Sequence, residues 1–283
     1  MAPKRYKLWL IAPAILLIIT AGILVSNVVA TGDWFIRSVE LKGGTLISFQ
    51  TSAPIDVAAL EAELEKDFGK VSSRELRGTS GYGVALEFDP TVNVEAAAEV
   101  IRRLASPIGI SIQKTGPALG EAFWTQAQIG FILAFLLMSI VVFIVYRVPI
   151  PPILVIFTAF SDIVTTMAVM LVFHVELTLA TFAALLMLIG YSVDTDILQT
   201  TRFLKNEGGS GAEVMRGSIK TGATMTMTTI VAMVAVVVTS ISPVITGIAT
   251  VLLIGLVTDL VYTYSLNAIL LRWYAEGKGV VSS

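Results

Sequence analysis

The stretch Gly190-Tyr191-Ser192-Val193-Asp194-Thr195-Asp196-Ile197-Leu198 sets two carboxylates near the end of an otherwise apolar run that is long enough to cross a membrane. A charge held in hydrocarbon costs from about 2.5 to well over 10 kcal/mol, so such a residue faces a partner or a water path. The run is one of six. At about 1.5 Å of rise per helical residue and about 30 Å of hydrocarbon, six segments are predicted to span: Leu8 to Val29, Thr125 to Tyr146, Pro152 to Phe173, Leu177 to Leu198, Thr221 to Ile241 and Ile245 to Leu271. Only His174-Val175-Glu176 separates the third from the fourth, and Ser242-Pro243-Val244 the fifth from the sixth, so both pairs read as tight helical hairpins.

Composition agrees with this reading. With 55% hydrophobic and 14% charged residues and a mean hydropathy of +0.83, the 283-residue chain falls outside the soluble class. A net charge of -2 from 19 basic and 21 acidic residues offers no surface for nucleic acid. The absence of cysteine excludes disulfides, thiol catalysis and thiolate metal sites, and the single histidine, His174, leaves no basis for a histidine-built metal centre or triad. No phosphate-cradling glycine motif occurs, so neither a nucleotide, another cofactor nor a metal is expected.

Lysine and arginine fix the orientation. Lys4, Arg5 and Lys7 precede the first span, Arg147 follows the second, Arg202, Lys205, Arg216 and Lys220 lie between the fourth and fifth, and Arg272 and Lys278 follow the last. Six spans put all of them on one side, which the positive-inside rule makes cytoplasmic, with both termini. Val28-Val29-Ala30 before Thr31 imitates a signal-peptide cleavage site, but the apolar stretch is long for a signal and its loss leaves five spans, so the segment is read as an anchor.

Nearly all remaining charge lies between the first two spans, from Thr31 to Trp124. Val39 to Phe49 has strand character around Gly43-Gly44, Ile55 to Phe68 a helical spacing through Leu60, Leu64 and Phe68, Val71 to Leu76 and Tyr82 to Phe88 strand character about a Gly78 to Gly83 turn, Val94 to Leu104 helical spacing stopped by Pro107, and Ile108 to Ile112 strand character. The order β-α-β-β-α-β is that of a ferredoxin-like unit. The predicted fold is a multi-pass α-helical membrane protein with six transmembrane helices and one α+β ferredoxin-like extracytoplasmic domain. Its divisions are residues 1–30, 31–124 and 125–283.

The candidate site is polar and intramembrane. Asp162 and Asp259 lie mid-depth in the third and sixth spans, while Asp194 and Asp196 lie toward the cytoplasmic end of the fourth. A carboxyl taken out of water titrates nearer neutral pH, as a proton-coupled machine requires; equally, each is suited to hydrogen-bonding a neighbouring helix. Asp196 falls about 200° around the helix from Asp194 and so on another face. Thr221, Thr224 and Thr228 form one hydroxyl stripe in the fifth span, fit to glue helices together or to hold water beside a carboxylate. Arg202 is either a counter-ion reaching back toward Asp194 or a snorkelling anchor. Gly190 and Ser192 are small enough to admit a neighbouring helix. Thr115-Gly116-Pro117-Ala118-Leu119-Gly120-Glu121 reads as a stiff joint between the exterior domain and the second span, or as an ordinary loop.

Taken together, these residues resemble the SecF family of the SecD/SecF protein-export accessory complex, in its archaeal form. The resemblance covers nearly the whole chain: a Gly-Gly element matched by Leu41-Lys42-Gly43-Gly44-Thr45, a Gly-Pro-x-Leu-Gly element matched by Gly116-Pro117-Ala118-Leu119-Gly120, and a Gly-Tyr-Ser signature matched by Gly190-Tyr191-Ser192 with Asp194, Asp196 and Arg202. Bacterial members read Gly-Tyr-Ser-x-Asn-Asp-Thr at the signature, so Asp194 and Asp196 flank the bacterial acidic position, and Val193-Asp194 is similar to the Val-Asp of the sister SecD signature. The resemblance implies pairing with SecD, association with the SecY translocation channel, a secreted polypeptide as substrate, and use of the proton motive force, with kinship to the resistance-nodulation-division transporters. Protonation of Asp194, with Asp162 or Asp196 assisting, is then expected to repack the helices and move the exterior domain. Two alternatives stand beside it. One is a non-conducting scaffold for SecD and the channel; the other is an aspartyl intramembrane protease, against which no Gly-x-Gly-Asp element occurs and Tyr191 is not followed by Asp. The chain is therefore read as not an enzyme, with membrane lipid as its surroundings.

Overall fold

The computed structural model describes residues 9–51, 54–78, 81–146, 148–205, 211–240 and 242–278. Lys4, Arg5, Lys7, Arg147 and the turn residues Thr79 and Ser80 lie outside them. Six helices among the described residues are long and apolar enough to cross a membrane. They comprise α1 (Ile11–Thr31), α5 (Pro117–Tyr146), α6 (Ile150–Val172), α7 (Leu179–Lys205), α8 (Gly211–Thr239) and α9 (Pro243–Val261), the last continuing through a π-helical turn (Tyr262–Asn267) into α10 (Ala268–Gly277).

Between α1 and α5 sits the α+β unit: a short helix α2 (Val39–Lys42), then β1 (Gly44–Thr51), α3 (Val57–Phe68), β2 (Val71–Gly78), β3 (Gly81–Phe88), α4 (Val94–Ala105) and β4 (Ile108–Thr115). The strands lie in the order β2-β3-β1-β4, every neighbouring pair antiparallel, which is the ferredoxin-like arrangement. Alternation along β1 and β3 turns Ile47, Phe49, Val84, Leu86 and Phe88 to one face, where Leu60 and Leu64 of α3 and Ala97 and Ile101 of α4 close the core. Both helices begin on side-chain caps: Asp56 accepts from Ala59 N, and Asn93 accepts from Glu95 N and Ala96 N. Each cap contributes about 1 kcal/mol by satisfying amides that the first helical turn leaves unbonded.

Two local expectations are corrected. The strand expected from Val39 begins only at Gly44, because Val39–Lys42 closes a helical turn and Gly43 follows with φ +79. This turn carries Leu41 into the apolar cluster of the bundle, with Ile163, Met170, Leu177, Leu185 and Leu188. The expected connector is also absent: β4 runs to Thr115 and α5 starts at Pro117, leaving Gly116 alone between them. Proline suits the first helical position, where its missing N–H has no carbonyl to bond. The two glycine elements seen in the sequence meet one another here. A Cβ on Gly120 would lie 2.5 Å from Gly43 N, and one on Gly43 would lie 2.7 Å from Pro117 Cα, so the start of α5 crosses the end of α2 backbone to backbone.

The domain is further fastened to the α6–α7 loop. Leu177 N donates to Ile36 O at 2.8 Å and Ser38 N to Leu177 O at 3.0 Å, a short parallel bridge beside Arg37. Glu40 of α2 accepts from Leu179 N at 2.9 Å, placing a carboxylate on the N-terminus of α7, where the helix dipole favours it. In the bundle α6, α7 and α9–α10 form the centre, while α1, α5 and α8 lie outside it with most of their surface exposed.

Because the atoms facing Gly120 are backbone and cannot swing aside, Gly120→Ala should destabilise the protein by about 1–3 kcal/mol, read as a lower thermal unfolding midpoint in detergent. Gly130→Ala on the same helix, where a Cβ meets nothing within 4 Å, should leave the midpoint unchanged or raise it.

Candidate functional site

Three carboxylates from three helices meet at the centre of the bundle. Asp162 of α6, Asp196 of α7 and Asp259 of α9 are 0%, 0% and 1% exposed. Helical spacing explains their placement: Ser192, Asp196 and Gln199 follow i, i+4, i+7 along α7, and Asp259, Thr263 and Asn267 follow every fourth position through the π turn. A wide turn at such a place recurs at functional sites.

Their hydrogen bonds form two groups. In the first, Asp259 Oδ1 accepts from Ser192 Oγ at 2.7 Å and lies 3.0 Å from Thr263 Oγ1, while the same hydroxyl is 3.0 Å from Asp196 Oδ1. Asn267 Nδ2 donates to Asp196 Oδ1 at 2.7 Å and to Gln199 Oε1 at 3.1 Å. In the second, Thr258 Oγ1 donates to Asp162 Oδ1 at 2.5 Å and lies 2.8 Å from Thr166 Oγ1. Beside it, the Tyr262 and Thr165 hydroxyls are 2.7 Å apart, and Thr165 reaches Thr20 of α1 at 3.2 Å.

Hydrogen counting shows what the first group can do. A threonine hydroxyl has one hydrogen to donate, yet Thr263 touches carboxylate oxygens on both sides. With both aspartates ionised, one of these contacts lacks a hydrogen; with a proton on either, both are hydrogen bonds. Asp162, Asp196 and Asp259 each also keep Oδ2 buried with no partner among the described residues, as are Asn267 Oδ1 and Gln199 Nε2. A buried polar atom left without a partner costs about 1–3 kcal/mol, so such oxygens are places to take up a proton or a water molecule.

The structure does not bring all the expected residues into this array. Asp194, expected at its centre, is exposed on the opposite side of α7, and among the described residues no hydrogen bond or ion pair reaches it. It belongs to an outward stripe with Met187, Gly190 and Tyr191, and Gly190 has no atom within 4 Å of its would-be Cβ, so among the described residues no neighbouring helix approaches it. Arg202 does not reach back toward Asp194; its Nη1 donates to Gly217 O at 2.8 Å and pins α7 to α8. Thr224 and Thr228 also face outward, satisfied by Lys220 O and Met225 O of their own helix, and they line an open groove of about 520 Å³ with Lys220, Thr221 and Met225. Ser192 alone of the Gly-Tyr-Ser signature points inward.

Thr258, Thr263, Asn267, Gln199, Thr166, Thr165, Tyr262 and Thr20 were not among the expected site residues. The amides Gln199 and Asn267 in apolar spans, in helical phase with Asp196 and Asp259, carried the available signal.

A family model described as protein export membrane protein SecD/SecF, C-terminal, matches residues 97–277. The protein-export membrane protein SecF of Pyrococcus furiosus is 38% identical over 98% of this chain and 94% of its own. That of Methanothermobacter thermautotrophicus is 36% identical over 96% and 94%, and that of Methanocaldococcus jannaschii 32% over 96% of each. A crystal structure of SecDF, a translocon-associated membrane protein from Thermus thermophilus, superposes with a TM-score of 0.79 at 18% identity over 95% of this chain. The chain spans 38% of the length of that SecDF chain, and the likeness to it is one of fold. Matched along nearly its whole length, this multi-pass membrane chain belongs to the SecF family of protein-export membrane proteins.

Proposed function

We propose that this chain is the SecF subunit of a protein-export accessory complex, working with SecD to promote translocation of secreted polypeptides through a SecY-type channel at the expense of the proton motive force. The observation that carries the reading is the buried Asp162, Asp196 and Asp259 array, with one threonine hydroxyl shared by two carboxylates. A proton moving between Asp196 and Asp259 reverses which carboxylate Thr263 donates to, and thereby alters how α7 is held to α9. A proton on the Asp162 oxygen that faces Thr258 reverses that bond between α6 and α9 in the same way, and one on the other oxygen weakens it. The second reading, a scaffold, is favoured by the same bonds, since they also fasten three helices together.

Export into reconstituted vesicles separates the two. Asp259→Asn and Asp196→Asn keep the size and much of the hydrogen bonding of the original side chains. Each should reduce SecD/SecF-stimulated export to the level left by an uncoupler while SecD still co-purifies. If the stimulation survives both substitutions and the uncoupler, the chain is a scaffold.

SecD, in this reading, covers the stripe of Met187, Gly190, Tyr191 and Asp194. A bare carboxylate facing lipid costs at least about 2.5 kcal/mol at mid-membrane, and the SecDF chain that this fold resembles is far longer than the present one. Asp194→Leu should therefore reduce co-purification of SecD while leaving the isolated subunit folded.

We assign residues 31–124 to the extracytoplasmic side and both termini to the cytoplasm, with 125–283 forming the five-helix bundle. Arg202, Arg216, Lys220 and Arg272 lie at the ends of α7, α8 and α10 remote from the loop that carries the α+β unit, in keeping with the positive-inside rule. The cysteine-free sequence makes a single introduced thiol specific. Glu99→Cys, at a side chain 76% exposed on α4, should react with a membrane-impermeant maleimide in intact cells, and Arg216→Cys only after permeabilisation.

A further inference from the structure

At the seam between the α+β unit and the bundle, two carboxylates share one guanidinium. Arg74 Nη2, from β2, lies 2.6 Å from Glu176 Oε2 in the α6–α7 loop and 3.3 Å from Glu87 Oε1 on β3. Lys42 Nζ, at the end of α2, holds the other Glu87 oxygen at 2.8 Å. The Glu87 and Glu176 side chains are 7% and 14% exposed, and their carboxyls are within hydrogen-bonding reach of each other. Among the described residues this is the one carboxyl pair at the seam contributed half by the domain and half by the membrane loop. It stands apart from the intramembrane aspartates by the run of α7 from Leu179 to Asp196, about 25 Å of helix.

We propose that Glu176 and Glu87 form a proton-operated latch, which holds the α+β unit on the α6–α7 loop when the two carboxyls share a proton and loosens when that proton leaves. With a proton between them the pair is a carboxyl-to-carboxylate hydrogen bond, and charge-assisted bonds of this kind are about twice as strong as neutral ones. Without it, two negative charges face each other across the seam, with Arg74 between them as shared counter-ion and Lys42 on the Glu87 side alone. The other charged groups at the seam are already engaged: Glu40 of α2 accepts from Leu179 N and Gln113 Nε2, and Arg37 pairs with Asp33 and lies over the Trp124 ring. His174, on the same loop as Glu176, is exposed.

Burial, and next the charge of Glu87, push Glu176 up from its ordinary 4.5 to about 7, against the opposing pull of Arg74. The sign follows by linkage. A raised value in the docked state means that docking takes up a proton. The stabilisation is complete below about 4.5, falls as pH rises through the interval to about 7, and is constant beyond it. With the seam on the extracytoplasmic face, acid outside the membrane tightens the latch.

Hydrogen exchange on the full chain in detergent tests this directly. The amides of Ser38 and Leu177 are bonded across the seam, so peptides covering 34–41 and 175–182 report its opening, and a peptide covering β1 serves as the internal reference. After correction for intrinsic exchange, protection of the seam peptides should fall about tenfold per pH unit between about pH 4.5 and 7 and then level off, with the β1 peptide flat. Glu176→Gln should abolish the slope. Glu87→Gln should move its upper end to lower pH, and His174→Gln should leave it as in the wild type. A flat wild-type profile, a slope that survives Glu176→Gln, or one lost in His174→Gln would overturn the latch. Because the readout is seam opening and not export, its failure leaves the proton-coupled reading of the aspartate array standing.

Discussion

The bundle is organised around a hydroxyl that cannot donate to both its neighbours at once. Thr263 offers one hydrogen to Asp196 and Asp259, and the low-dielectric centre of the bundle makes any unmade bond expensive. The surrounding choices fit that constraint. Ser192 supplies a second donor to Asp259, Asn267 a second donor to Asp196, and the π turn keeps Asp259, Thr263 and Asn267 on one face where a regular helix drifts in phase. The central helices α6, α7 and α9 are the ones that this polar array fastens to one another, while α1, α5 and α8 take the exposed positions around them.

A second constraint lies at the end of the bundle that meets the α+β unit. The α+β unit is joined to the bundle by a continuous set of contacts, from the glycine crossing of α2 and α5 through the Leu177 bridge to Leu41 buried among bundle side chains. Leu41 belongs to the same apolar cluster as Leu185 and Leu188 of α7, the helix that a little further along carries Ser192 and Asp196 to the buried array. Sheet, loop and central helix thus form one mechanically continuous path.

Much of this was legible in the sequence. The six spans follow from apolar length alone, and the order of the α+β unit follows from alternation and helical spacing between turn residues. The carboxylates at membrane depth were found because charge there is costly wherever it points. Which face of a helix turns inward was harder to read, because lipid is as apolar as a helix-packed core and hydropathy does not separate them. Asp194 was therefore placed at the centre, although Ser192, Asp196 and Gln199 in helical phase mark the inward stripe. Thr224 and Thr228 misled for a related reason: a threonine hydroxyl in a helix satisfies itself on a carbonyl one turn back and so tolerates an outward position. Val39–Lys42 looked like strand because its apolar residues are spaced for one, but Leu41 packs into the bundle's apolar cluster, a neighbour that local sequence does not reveal.

The single residue Gly116 between β4 and α5 leaves no slack between a sheet and a helix of 30 residues. Such a helix is about 45 Å long, and a tilt of about 10° about its inner end sweeps its outer end through about 8 Å. The sheet is set directly on that end, so a tilt of α5 that also released the seam would carry the sheet through a distance comparable to two residues of extended polypeptide.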